Sequence, residues 1–159
     1  MFSTRKTAAL LAAALLSLGT ATTTAHAGTP VPRLSLPVGT WDTYIDFGGG
    51  AIVHVVEAYT VKGELCHTGG TNGYGKGTWR PTGRNTFTYE VVEKFTDDQG
   101  RYAGRAEMGG SAVQTGDVFR TDHTSTVYDA EGNFLFSDRG EIVFTRSSKA
   151  NPKCPANNR

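Results

Sequence analysis

The sequence has little of several residue types and patterns that identify common protein classes. Among its 159 residues there are only two cysteines, two methionines and two tryptophans. It contains no extended run of lysine or arginine, so we do not expect nucleic acid or an anionic membrane surface as a partner. No CxxC pair occurs, which excludes the common cysteine redox motif and a cysteine-based metal site.

Long apolar runs are also missing, apart from one compact stretch at residues 10–18. It follows the basic pair Arg5 and Lys6 and is too short to span a bilayer as a helix. The sequence AHA at residues 25–27 fits the small-x-small pattern that precedes a signal peptidase cut. We therefore expect residues 1–27 to be a cleaved signal peptide and the protein to be secreted. The alternative is a retained membrane anchor.

Cleavage there would leave 132 residues with 14 basic and 15 acidic side chains, a net charge near −1. A chain of this length can form one domain with a real core. Residues 28–38 carry three prolines and should be extended, because proline cannot donate to a sheet ladder. We expect the folded domain at residues 39–147 and a C-terminal tail at residues 148–159.

What the sequence does contain, throughout residues 39–146, is a succession of strand patterns. Residues 86–91 (TFTYEV), for example, alternate polar and apolar side chains, which is typical of a half-buried strand. Glycine- and aspartate-rich turns separate such runs. The predicted strands are residues 40–47, 51–61, 64–68, 76–80, 86–95, 101–114, 117–128 and 133–146. Consecutive hairpins of this kind predict a single all-β domain, an eight-stranded antiparallel up-and-down barrel.

The two cysteines, Cys66 and Cys154, predict a disulfide. An even number of cysteines in an exported chain favours pairing. Cys154 lies in a proline- and asparagine-rich tail that would fray unless it were pinned. The alternative is two free thiols.

The segment at residues 68–77 (TGGTNGYGKG) contains five glycines. Its composition favours a flexible loop between two strands. A lid over the barrel mouth is the alternative.

Period-two alternation predicts which side chains face the barrel interior. The first, fifth, seventh and eighth strands each have one aromatic-rich face. These inward sets are Trp41, Thr43, Ile45 and Phe47; Phe87, Tyr89, Val91, Glu93 and Phe95; Phe119, Thr121, His123, Ser125 and Val127; and Phe134, Phe136, Asp138, Gly140, Ile142 and Phe144. The second strand leaves two faces open: Ile52, His54, Val56 and Ala58, or Val53, Val55, Glu57 and Tyr59.

Three polar residues fall on these apolar faces: Glu93, His123 and Asp138. A buried charge is costly unless it is paired. Each could therefore lie near a strand end in contact with solvent, or pair with Arg105 or Arg146. The functional hypothesis is that Glu93 and His123 orient a ligand or transfer a proton inside an apolar pocket.

A small, mostly apolar molecule is the partner that these faces predict. The predicted ligand-binding residues are Trp41, Phe87, Tyr89, Glu93, Phe119, His123 and Phe136. We expect no cofactor and no metal, because His54, His67 and His123 lie on separate strands without ligand spacing and are best interpreted as ordinary surface or hydrogen-bonded residues.

The sequence Gly39-Thr40-Trp41 resembles the Gly-x-Trp signature of lipocalins and the wider calycin group. In that group a basic residue of the last strand packs over the tryptophan, and Arg146 stands at the matching position here. Thr121-Asp122-His123 resembles the group's Thr-Asp-Tyr motif, with His in the Tyr position. The resemblance implies a carrier or scavenger of a small apolar molecule, as a monomer or small homo-oligomer.

In size and layout the chain is also similar to allene oxide cyclase and dirigent proteins and to bacterial barrel cyclases that form [4+2] rings. Those enzymes shape a reactive chain inside an apolar barrel and need few catalytic residues. This similarity implies the alternative function, a cofactor-independent cyclase or isomerase.

Overall fold

The computed structural model of the protein describes residues 36–46, 51–70 and 73–154. There, eight strands close into one barrel in which each strand pairs antiparallel with the next and the last returns to the first. The strands are β1 (Gly39–Asp46), β2 (Ile52–Tyr59), β3 (Glu64–Gly69), β4 (Gly73–Pro81), β5 (Thr86–Thr96), β6 (Tyr102–Thr115), β7 (Val118–Asp129) and β8 (Phe134–Ser148). The predicted all-β, eight-stranded antiparallel barrel is confirmed.

The predicted signal peptide at residues 1–27 lies outside the described residues, as does most of the proline-rich segment at residues 28–38. Phe47, which we expected to face inward, also lies outside them. In the described ranges no helix is long and apolar enough to cross a membrane.

One half of the barrel interior is filled by aromatic rings, and we call it the closed half. Its members are Trp41, Tyr59, Phe87, Phe119 and Phe144, all buried. The Trp41 and Phe119 rings meet edge-on with centroids 4.8 Å apart, and Phe119 stacks on Phe144 at 4.7 Å. Aromatic pairs at such separations contribute about 0.5–1.5 kcal/mol each beyond the area they bury.

Arg146 covers this half from outside. Its guanidinium carbon lies 4.1 Å from the centroid of the Trp41 ring, and one of its nitrogens donates to the Val38 carbonyl. The indole N–H of Trp41 donates to the Pro37 carbonyl at 2.6 Å. The expected packing of the basic residue over the tryptophan is confirmed, and the barrel is compatible with a calycin-like architecture.

At the opposite end, which we call the mouth, inward-facing side chains keep part of their surface exposed. Ile45 of β1, Val53 of β2 and the pair Ser125 and Val127 of β7 are half-buried. Solvent therefore reaches the interior from this end.

The barrel wall is incomplete beside the mouth, where β8 begins. Residues 40–42 of β1 pair with residues 145–148 of β8, and no described strand pairs with β8 further toward the mouth on that side. As a result residues 134–141 are all exposed. The expectation that Phe134, Phe136 and Asp138 lie on a buried inward face is wrong, because β1 and β8 diverge before reaching them.

Most of the described part of the glycine-rich segment forms barrel wall rather than a loop. β3 continues to Gly69 and β4 already begins at Gly73, so the expected loop is wrong for residues 68–69 and 73–77, while residues 71 and 72 lie outside the described residues. Glycine lowers strand propensity, but here both neighbouring strands supply ladder hydrogen bonds to β4. Gly75 is buried at an inward position of this strand.

Cys66 and Cys154 form the predicted disulfide, with Cα atoms 5.7 Å apart. Its neighbour His67 faces inward, so Cys66 lies on the outer face of β3 and holds the tail against the barrel wall. Asn151 gives the tail a second attachment, because its Oδ1 accepts a 3.0 Å hydrogen bond from the N–H of Val61. A disulfide is compatible with an extracellular location.

Candidate functional site

A row of inward-facing residues crosses four neighbouring strands between the closed half and the mouth. Glu57 of β2 lies opposite His67 of β3, which lies opposite Gly75 of β4. Gly75 in turn lies opposite Glu93 of β5. All four residues are buried. Because Gly75 has no side chain, His67 and Glu93 face each other across β4.

His67 bridges two carboxylates. Its Nδ1 lies 3.3 Å from Glu57 Oε1, and its Nε2 lies 3.5 Å from Glu93 Oε2. Tyr59 extends the row at its inner end by donating a short hydrogen bond from its hydroxyl to Glu57 Oε2. The four side chains form a continuous chain of proton donors and acceptors.

The two carboxylates determine the charge of His67. Burial alone would lower the pKa of His67, but hydrogen bonds and charge from Glu57 and Glu93 outweigh burial and raise that pKa to about 9. His67 is therefore an imidazolium at neutral pH. Burial, together with the charge of Glu57, raises the pKa of Tyr59 well above its usual value, so its hydroxyl stays protonated and can donate.

Two further glycines leave room for the Glu93 carboxylate. A Cβ on Gly73 would overlap that carboxylate. A Cβ on Gly69 would lie 2.9 Å from Glu93 Oε1 and 3.0 Å from His67 Nε2. Both glycines stand at the strand ends nearest the mouth, so the Glu93 carboxylate is turned toward the mouth.

A second polar contact lies across β6. Tyr89 of β5, Gly110 of β6 and His123 of β7 are directly opposite one another. Over the bare Gly110 backbone, the Tyr89 hydroxyl comes within 3.0 Å of His123 Nδ1, and it accepts a 3.4 Å hydrogen bond from Thr121. Burial lowers the pKa of His123 more than the charge of Glu57 raises it, so His123 is neutral at pH 7. We call Glu57, His67, Tyr89, Glu93 and His123 the polar layer.

Three of the predicted site residues, Tyr89, Glu93 and His123, lie in the polar layer. Glu93 contacts His67, whereas the arginines considered as partners are engaged elsewhere. Arg105 pairs with Glu107 and lies over the Tyr128 ring, and Arg146 covers the closed half.

The other predicted ligand-binding residues are divided between the two ends of the barrel. Trp41, Phe87 and Phe119 are fully buried among the rings of the closed half. Phe136 lies on the opposite side of the layer, at the mouth, where 54% of its surface is exposed.

Sequence reasoning missed Glu57 and His67. The two faces of the second strand are about equally apolar, so alternation did not decide whether Glu57 faces inward. His67 was interpreted as an ordinary surface or hydrogen-bonded residue. The available signal was the spacing from Glu64: residues three apart on a strand point to opposite faces, so an outward Glu64 places His67 inward. The glycines at the end of this short strand indicate that an inward histidine would have space.

No known family model matches the chain, and no curated protein or solved structure matches it either. Within the described ranges, no group of three or more His, Cys, Asp or Glu side chains is arranged to hold a metal ion. What this site offers chemically is acid–base chemistry in a largely apolar interior: an imidazolium between two carboxylates, and a neutral histidine beside a tyrosine.

A groove of about 630 Å³ lies on the outer face of β4 to β7. Its charged side chains, Lys76, Arg80, Glu90 and Glu107, are all exposed. Water solvates such groups without a ligand, so the buried polar layer is the stronger candidate for a functional site.

Proposed function

We propose that this protein binds a small, mostly apolar molecule in the mouth half of the barrel, with Glu93 and His123 as its polar contacts. The observation that carries the proposal is the position of the polar layer. It lies between a half filled with aromatic rings and a mouth lined by half-buried apolar side chains such as Ile45 and Val53. A few convergent polar groups in an apolar pocket are typical of small-molecule sites.

The energetics support a role beyond structure. Charged groups taken out of water lose solvation that their mutual attraction often fails to recover, and apolar replacements are often neutral or stabilising. The aromatic rings and Arg146 already close the other end of the barrel. The polar layer is not needed for that closure, which favours its retention for a ligand.

We further propose that the protein is exported and acts outside the cell as a carrier or scavenger. The support is the leader-like composition of residues 1–27 and the Cys66–Cys154 disulfide, which oxidising compartments favour. The similarity of Gly39-Thr40-Trp41 and Arg146 to the lipocalin pattern supports the same proposal.

The second candidate function is a cofactor-independent cyclase or isomerase of the allene oxide cyclase or dirigent type. The contact between Glu93 and His67 favours it, because a carboxylate held beside an imidazolium can move a proton. A carrier needs polar contacts but no chain of proton donors and acceptors behind them.

Native mass spectrometry of protein purified from its own source tests the binding proposal. We expect a co-purified small molecule, held less well by Glu93→Met and His123→Leu. His123→Leu should keep or gain thermal stability, since it replaces a partly buried polar group by an apolar one of similar volume. Glu93→Met removes a partner of the buried His67 imidazolium and should lose stability, so ligand occupancy is compared per folded molecule. Glu90→Met, on the outer face of the same strand, is the matched control and should leave ligand occupancy unchanged.

The opposite pattern would assign Glu93 and His123 to structure alone. In that case His123→Leu also unfolds early, and the ligand bound per folded molecule is the same in both variants as in the unmodified protein.

A further inference from the structure

We propose that Glu93 is a general base toward a carbon acid bound at the mouth, namely a carbonyl compound that carries a C–H bond beside its carbonyl group. This inference rests on the proposed function, because it names the chemical class of the molecule bound there. His67, Glu57 and Tyr59 act as positioning residues for Glu93 rather than as groups that touch the substrate.

The exposed fractions of the side chains in the row indicate which member lies nearest the mouth. The exposed fraction of the side chain is 9% for Glu93, 6% for His67 and 2% for Glu57. Glu93 is thus the member that a molecule entering from the mouth meets first. Its Oε2 faces His67, whereas its Oε1 lies over Gly69 and Gly73 at the mouth side of the row.

The inner members hold the Glu93 carboxyl group in a fixed orientation, as a base requires. His67 presents Nε2 to Glu93 and Nδ1 to Glu57, while the Tyr59 hydroxyl binds the remaining oxygen of Glu57. Each charge in the row therefore has an opposite charge or a proton donor beside it. A base with fixed orientation in a partly desolvated site is the arrangement that makes proton transfer efficient.

His123 is placed to receive the charge that forms on the substrate oxygen. The Tyr89 oxygen accepts from Thr121 and lies 3.0 Å from His123 Nδ1, and we assign the Tyr89 proton to the hydrogen bond with Nδ1. A neutral His123 then carries its proton on Nε2, for which the described residues provide no acceptor. That N–H can donate to a carbonyl oxygen.

The proposed step is balanced without any co-reactant. A Glu93 oxygen takes the proton from the carbon, the C–H electron pair becomes a new C=C bond, and the carbonyl π pair moves onto oxygen to give an enolate. Return of the proton to the same carbon regenerates Glu93 with proton exchange. Where the substrate also carries a C=C bond next to that carbon, the enolate extends over it, and return of the proton to the far carbon yields the conjugated isomer. Neither oxidation nor a leaving group is involved.

The probe for this test is 5-nitrobenzisoxazole, used with the exported, disulfide-bonded protein. A base removes its C3 proton, the C–H pair forms the nitrile and the N–O bond breaks to give a coloured phenolate. We expect the protein to accelerate this reaction and Glu93→Gln to lower kcat/KM about 100-fold or more. Glu90→Gln, an exposed carboxylate on the same strand, should retain the full rate.

A second probe is deuterium incorporation beside the carbonyl of 2-tetralone in D2O. It should depend on Glu93 in the same way. Glu93→Asp keeps the carboxylate but shortens its reach, so it separates loss of the base from loss of folding. Tyr59→Phe removes one hydroxyl from the row and should shift the pH profile of the reaction rather than abolish it.

Histidine NMR distinguishes the two possible failures. If the probes shift the His123 signals but neither probe reacts, or if Glu93→Gln reacts at the full rate, the general-base inference is overturned and the binding proposal stands. If the probes neither perturb His123 nor react, the binding proposal falls together with it.

Discussion

The closed half and the polar layer are built on the same strands, yet their contents are opposite in character. β5 contributes Phe87 to the closed half and Tyr89 and Glu93 to the polar layer, always on the inward face. Alternation is identical in both regions, so it determines only which way a side chain points. The difference lies in what stands opposite each side chain on the neighbouring strands.

In the closed half, large residues stand beside other large residues. Phe87 and Phe119 pack with ring centroids 5.2 Å apart, and the residue opposite Phe87 on β6 is the small Ala112. In the polar layer, glycines stand beside charged or polar residues. Gly75 lies between His67 and Glu93, and Gly110 lies between Tyr89 and His123.

This difference indicates a division of labour inside one barrel. Dense aromatic packing in the closed half provides most of the local stabilisation, because each buried ring removes a large apolar surface from water. The polar layer contributes chemical groups whose burial is costly. Substitutions in the two regions should therefore change different properties.

The largest effect should come from the closed half. Trp41→Ala should lower the free energy of unfolding by about 3–5 kcal/mol, because it removes a fully buried ring and its contacts with Phe119 and Arg146. Denaturant titration measures this value. Phe136→Ala is the control: an aromatic residue at the mouth with 54% exposure should change stability by less than about 1 kcal/mol. Equal losses in the two variants would contradict the comparison.

The next largest effect is a loss of stability at alkaline pH that originates in the polar layer. The folded-state pKa of His67, about 9, lies above the unfolded value of about 6.5. The resulting stabilisation is complete below pH 6.5 and is lost as the pH rises to about 9, amounting to about 3 kcal/mol at most.

The described residues contain no free cysteine whose thiol would titrate in this window. Denaturant titrations at several pH values measure the slope, and NMR of labelled histidine measures the pKa of His67 directly. A flat stability profile from pH 6.5 to 9 would show that His67 does not carry the proton that we assign to it.

Much of the barrel could be predicted because its determinants are local. Alternation at residues 86–91, turn residues between runs and a tryptophan after Gly39 are all visible in the sequence. The eight strands lie within a few residues of their predicted bounds, β4 excepted. Cys66 and Cys154 could be paired because the chain contains no other cysteines.

The polar layer could be predicted only in part, because its contacts depend on the register between strands. Alternation placed Glu93 and His123 inward, but nothing local indicates that Glu57 and His67 lie opposite each other. Gly75 illustrates the same limit. In sequence a glycine-rich stretch is typical of a loop, and only pairing on both sides identifies it as a strand with room for neighbouring side chains.

The exposure of the first residues of β8 could not be predicted for the same reason, because it too depends on how strands pair. Phe134 and Phe136 fit the inward pattern of their strand. Whether an inward face is covered depends on where the first and last strands of the barrel separate, and that is a property of the closed sheet. Local patterning contains no information about it.

A smaller effect is expected from a methyl group added inside the polar layer. Gly69→Ala would place a Cβ close to both Glu93 Oε1 and His67 Nε2, so it should separate the two side chains. We expect a loss of about 1–3 kcal/mol in the free energy of unfolding and a lower pKa for His67. Gly140→Ala is the matched control on β8, because a Cβ there meets no atom within 4 Å. An unchanged His67 titration in Gly69→Ala would mean that the contact with Glu93 does not set this pKa.

The smallest effect is a stability slope of opposite sign from the other histidine of the layer. Burial holds the folded-state pKa of His123 below its usual value, so the unfolded chain binds this proton more tightly. Stability should fall as the pH drops below about 6.5. The loss should be modest because His123 is only half-buried.

His123→Leu should remove this acid-side slope and leave the alkaline slope of His67 intact, as measured by the difference between variant and unmodified stability from pH 7 to 5. The charge of His67 reaches His123 and lowers its pKa, so the two titrations are coupled. If His123→Leu flattened the alkaline slope as well, the two histidines would titrate as one unit, and the polar layer would have to be treated as a single acid–base group.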